Sequence, residues 1–155
     1  MVDVPSVSIV IASAGVMVAA TYYVLQIRHQ TRTRKTDLVI RLNATWVSKD
    51  IMEAWSRVME RDIEEYDTSS LSMSSKWVPE MQIAQFFEEL GYLVHSGFAD
   101  FELIYALFPV GATWGKLRFL VARIRESRNN PTYYEWFEYL YNETRKREQA
   151  GVKSG

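Results

Sequence analysis

Apolar positions along the chain follow two patterns. Between Ser6 and Ile27 they are nearly continuous, with no formal charge over 22 residues. Beyond residue 36 they recur at spacings of three and four, the period of a helix that buries one face. At a rise of about 1.5 Å per residue the first run makes roughly 33 Å of helix, enough for a hydrocarbon core of about 30 Å. It predicts a transmembrane anchor over residues 1–27. A core helix rarely goes uncharged for so long, a signal peptide needs a basic start where this chain has Asp3, and a helix lying in the interface needs one strongly polar face.

The second pattern predicts helices only. Residues 36–66 lack Gly and Pro and carry Val47, Ile51, Trp55, Val58 and Met59 on one face, so they are expected as one amphipathic helix, nearly continuous with the anchor. The Ser-rich stretch 67–76 has no period and is expected as a loop. A helix over 79–95 opens with Pro79 and Glu80, buries Ile83, Phe86, Phe87, Leu90 and Val94, and stops at Gly97. Asp100 is placed to cap a short helix over 101–108, Pro109 breaks it, and a helix over 111–128 follows with Trp114, Leu117, Val121 and Ile124 inward. Asn130 and Pro131 are expected to open a last helix with Tyr133, Phe137 and Leu140 in the core. The predicted fold is all-α: a single N-terminal transmembrane helix, a basic juxtamembrane segment (28–36), a cytoplasmic bundle of about four to five helices (37–148) and a flexible tail (149–155).

Charge gives that picture a direction. Residues 28–41 hold Arg28, Arg32, Arg34, Lys35 and Arg41 against Asp37, a balance of +4, while residues 42–155 sum to -4 in a chain whose total is -1. A cation excess beside a span favours the cytoplasmic side, which places the N-terminus outside and the domain inside a cell membrane. Arg28, Arg32, Arg34 and Lys35, with Tyr22 and Tyr23, are the expected membrane-interface residues, facing anionic headgroups. Nucleic acid is a poor fit, because the cations abut an uncharged span and the rest is acidic. The absence of Cys excludes disulfides and thiol chemistry.

Candidate chemistry is sparse. His29 and His95 belong to no metal-ligand spacing, and no phosphate loop or nucleophile elbow is present, so neither a metal nor a cofactor is expected. Glu88 and Glu89 in "FFEELG" are an acidic pair for which general acid work is conceivable, against the more ordinary reading of structural ion pairs with Arg123 or Arg125. The last helix is ringed by aromatics, and Tyr134 and Tyr141 fall together off the core stripe as a candidate partner surface.

The stretches "FFEELGYLVHSGFADFELIYALF" and "RIRESRNNPTYYEWFEYL", with a Trp between them, resemble a family of uncharacterised bacterial and archaeal helical domains, a domain of unknown function. The likeness covers residues 8–142, including "QIRHQTR" at 26–32, which approximates the family's "QLRxNT"-like connector with Gln30 at the usual Asn. It implies one N-terminal transmembrane helix ahead of a helical cytoplasmic domain, and no catalytic residue. The resulting expectation is a membrane-anchored interaction or scaffolding module, an accessory subunit with a protein partner or a second copy of itself. The alternatives are a membrane-bound enzyme using Glu88 and Glu89, and a homo-oligomeric membrane receptor.

Overall fold

The computed structural model describes the backbone of residues 4–61 and 77–152, with side chains for 13–61 and 77–151. Among the described residues all regular structure is helical: α1 (Val4–Trp46), α2 (Lys49–Glu60), α3 (Val78–His95), α4 (Phe101–Leu107), α5 (Val110–Arg128) and α6 (Glu135–Val152). The chain divides into two compact units, residues 1–37 and 38–155.

In the first unit the helical run is exposed from residue 13 to 34, including Val16, Met17, Tyr22, Tyr23 and Leu25. Its threonines return their hydroxyl protons to carbonyls one turn back, Thr21 to Met17 at 2.8 Å and Thr31 to Ile27 at 2.9 Å. The expected transmembrane anchor and single-pass cell-membrane location are corrected here. Among the described residues no helix is long and apolar enough to cross a membrane. The physical reason is that uncharged is not the same as apolar. Ser13, Gly15, Thr21, Tyr22, Tyr23 and Gln26 dilute the described part of the run, and Arg28 ends it. The side chains of residues 1–12 of the expected anchor lie outside the described residues, as do the Ser-rich loop 67–76 and residues 62–66 of the expected helix.

The second unit is built on an aromatic spine. Trp46 at the end of α1 meets Phe86 and Phe87 of α3 at 5.3 and 5.4 Å between ring centroids. Phe87 stacks on Phe137 of α6 at 5.0 Å, and Trp114 of α5 meets Phe137 edge-on at 4.9 Å. Ile83, Leu90, Leu117, Leu120 and Leu140 fill the space around them and are fully buried. Truncating any one of these would cost about 2–5 kcal/mol.

The expected helix over 36–66 is broken. α1 ends at Trp46, Ser48 is extended, and α2 restarts the period with Ile51, Ala54 and Val58 inward. Val47, assigned inward by the unbroken period, is exposed, and Trp46 is buried instead. Asp100 does cap α4, its carboxylate accepting from the Glu102 N–H at 2.9 Å. Asn130 instead organises a turn, accepting from the Thr132 N–H and hydroxyl at 2.9 and 2.8 Å. The last helix therefore opens at Glu135, and it continues to Val152 through most of the expected tail.

Candidate functional site

At about 100° per residue, α3 turns Ile83, Phe87 and Leu90 into the core, Glu88 and Gly91 toward its flank, and Gln85, Glu89 and Tyr92 outward. The flank meets the start of α6. Helix N-termini leave their first N–H groups without intrahelical acceptors. Here the acceptor comes from another helix: Glu88 Oε2 accepts from the Phe137 N–H at 2.8 Å, and the Trp136 N–H also hydrogen-bonds the carboxylate. Burial raises the Glu88 carboxyl above its ordinary value, the two backbone N–H groups pull it down, Glu135 pushes it up and Arg125 pulls it down.

Gly91 makes that approach possible. A Cβ built there would overlap the carbonyl oxygen and carbon of Trp136 and come within 3.1 Å of its Cβ. The "FFEELG" string is thus a single device: two core rings, a carboxylate that caps α6, a solvent-facing acid, a core Leu and a gap for a backbone.

The chain enters α6 through a constrained turn. Asn129 is left-handed at φ 48 and ends α5, its N–H donating to the Arg125 and Glu126 carbonyls. Tyr134 is also left-handed, at φ 57, a conformation that costs a bulky residue of order 1–2 kcal/mol. Arg125 holds it there. Its Nε donates to the Tyr133 carbonyl at 2.8 Å, its Nη2 to the Tyr134 carbonyl at 3.4 Å, and its Nη1 pairs with Glu138 at 2.7 Å. The Tyr134 hydroxyl is raised by burial first and then by the charge of Glu88.

Outside this fixed junction lies a seam of rings. Tyr92 meets Trp136 at 5.9 Å and 67°, His95 packs on Trp136 at 4.3 Å, and Tyr139 lies edge-on to His95 at 5.1 Å. Tyr92 is 50% exposed and Trp136 is half-buried. A cleft of about 370 Å3 opens beside them, lined by Gln85, Glu88, Glu89, Tyr92, Leu93 and Trp136.

The remaining residues singled out from sequence are placed as follows. Arg123 pairs with Glu126 at 3.4 Å, and Glu89 accepts from Gln85 at 3.3 Å, so Glu88, Glu89, Arg123 and Arg125 reach different partners. Tyr134 and Tyr141 are half-buried against the core, Tyr141 stacked on Trp114 at 5.7 Å. Tyr22, Tyr23, Arg28, Arg32 and Arg34 are exposed along α1, and Lys35 is half-buried. A second cleft, of about 810 Å3, runs along α5 past Lys116, Arg118, Phe119 and Arg125. Among the described residues no group of three or more His, Asp or Glu side chains gathers as a metal site requires.

Gly91, Tyr92 and Trp136 are the site residues that sequence reasoning passed over. One signal was available, a glycine inside a strongly periodic helix with no turn to make, which implies a close backbone approach.

No match to a curated protein or to a solved structure was found. Residues 9–144 do match a family model, and the chain belongs to that family, the domain of unknown function DUF4760.

Proposed function

We propose that the chain is a helical protein-interaction module, a scaffolding or accessory subunit that presents the α3–α6 junction to a protein partner. The observation that carries this reading is the seam of Tyr92, Trp136, His95 and Tyr139, with Tyr92 and His95 exposed and Trp136 and Tyr139 half-buried, on a junction that Glu88 and Gly91 hold fixed. Tyr and Trp concentrate binding energy when a partner covers them, and a pre-organised surface gives up little entropy on binding. The engagement of Glu88 with the α6 backbone supports a positioning role for it over proton transfer.

Site-specific photo-crosslinking in cells tests the reading. A benzoylphenylalanine in place of Tyr92 should give a discrete adduct with another protein that weakens when Trp136→Ala is added. The same probe in place of Lys49, an exposed position on α2, should not. Adducts at position 49 with none at position 92 would overturn the assignment of the surface.

A further inference from the structure

The cleft beside the seam has two kinds of wall. Two are aromatic, the Tyr92 and Trp136 rings inclined at 67° with centroids 5.9 Å apart, so that together they form a corner. The others are lined by Gln85, Glu88, Glu89 and Leu93, and Glu135 adds a further negative charge near Glu88. Among the described residues no cationic side chain lines this cleft. Arg125 is close enough to influence Glu88, but its guanidinium is committed to the Tyr133 carbonyl and to Glu138.

An aromatic face is electrostatically negative at its centre, and a bulky cation of low charge density is drawn over it. Carboxylates beside the rings strengthen that attraction and repel an anion. A volume of about 370 Å3 is within the span of roughly 300–1,000 Å3 that small-ligand sites occupy. We propose that this cleft binds the ammonium group of a lysine or methylated lysine side chain presented by a protein partner. The proposal rests on the interaction reading above and names the chemistry of the partner at the same surface.

The test is a titration of the full chain, following indole N–H resonances by NMR, with the Trp136 signal assigned by Trp136→Phe. The probes are choline, the blocked amino acids N-acetyl-lysine methylamide and N-acetyl-trimethyllysine methylamide, and 3,3-dimethyl-1-butanol. The last is the neutral isostere of choline and reads shape without charge. The cationic probes should shift the Trp136 indole saturably, and the butanol should bind at least about tenfold more weakly. Each cation–ring contact is worth about two- to thirtyfold in affinity. Tyr92→Ala and Trp136→Ala should therefore each weaken choline by a factor in that range. Tyr92 is half exposed, so its variant keeps the test informative if Trp136→Ala unfolds.

Tighter binding of a blocked lysine than of choline is the expected order for a partner's side chain, and tighter binding of choline than of both blocked lysines would overturn the assignment to a protein partner. Equal binding of choline and its neutral isostere, or no shift of Trp136 with any cation, would overturn the proposal. If the photo-adduct at position 92 survives that result, the interaction reading stands and only the cationic chemistry falls.

Discussion

Replacing Gly91 with alanine sets two effects of opposite sign against each other. In a helix interior alanine is favoured over glycine by about 1 kcal/mol, so local propensity predicts a more stable α3. The added methyl, however, overlaps the carbonyl of Trp136, a backbone group that moves only if the start of α6 moves with it. Relieving the overlap separates two helices joined through Phe87, Leu90, Phe137 and Leu140, all fully buried. Overpacking of this kind typically costs about 1–3 kcal/mol. The same displacement lengthens the 2.8 Å bond from the Phe137 N–H to Glu88, and a hydrogen bond to a charged group contributes roughly 1.5–3 kcal/mol. The net expectation is a loss of about 3 kcal/mol, a fall in Tm on the order of 10 °C for a chain of this size. Urea unfolding followed by far-UV circular dichroism measures it. Gly115→Ala is the matched control, since Gly115 lies inside α5 with nothing within 4 Å of the added Cβ. It should be neutral or stabilise by up to about 1 kcal/mol. The close-approach argument fails if Gly91→Ala is as stable as the parent or tracks Gly115→Ala.

Burial raises the Glu88 carboxyl, so the folded chain holds that proton more tightly than the unfolded one. The contribution of Glu88 to stability therefore falls as pH rises from the ordinary carboxylate value to the raised folded one. Glu88→Gln keeps an acceptor for the α6 N–H groups and should flatten that slope in urea midpoints measured across the carboxylate range, whereas an unchanged slope would point to another group. Glu88→Ala strands those N–H groups and should cost about 1–3 kcal/mol at neutral pH. Arg61 Nη1 pairs at 2.8 Å with Glu80, whose side chain is fully buried. Arg61→Ala should thus destabilise by about 3–5 kcal/mol, with most of the loss recovered by adding Glu80→Gln; equal single and double variants would show that the pair is not the cause. Arg125→Ala removes the clamp on the left-handed Tyr134 turn and should raise amide exchange in the first turn of α6, and Arg125→Lys, lacking the planar fork, should restore only part of the protection. Protection unchanged in Arg125→Ala would mean that the turn holds itself.

Much of the helical layout was legible because it depends on one segment at a time. Proline at the start of α3, the Asp100 cap, the left-handed Gly97 and the inward stripe Trp114, Leu117, Val121 and Ile124 each follow from local sterics or a single period. Failures came where a local signal had a competitor. The period of 36–66 continued on paper through Val47, but the helix stops at Trp46 because that indole is buried among Phe86, Phe87 and Phe108. Asn130 and Pro131 are good opening chemistry for a helix, yet Arg125 draws the carbonyls of Tyr133 and Tyr134 to itself and delays the start. The uncharged run read as a membrane span, but among the described residues Thr21, Tyr22, Tyr23 and Gln26 dilute it and no helix is long and apolar enough to cross a membrane.

By itself, then, the order of residues determined the helical class, most of the helix ends and the core faces, since these answer to backbone sterics and to which side of one helix is apolar. It did not determine what the acids and rings between those faces do. Glu88 and Phe137 lie 49 positions apart, and whether the carboxylate meets a guanidinium, a proton-transfer partner or a backbone N–H depends on how α3 and α6 are rotated and offset against each other. Helical period leaves both free. Packing of Phe87 on Phe137, with Gly91 admitting the Trp136 backbone, set them. That one choice turned Glu88 into a cap, drew Tyr141 onto the core and left Tyr92 and Trp136 facing out.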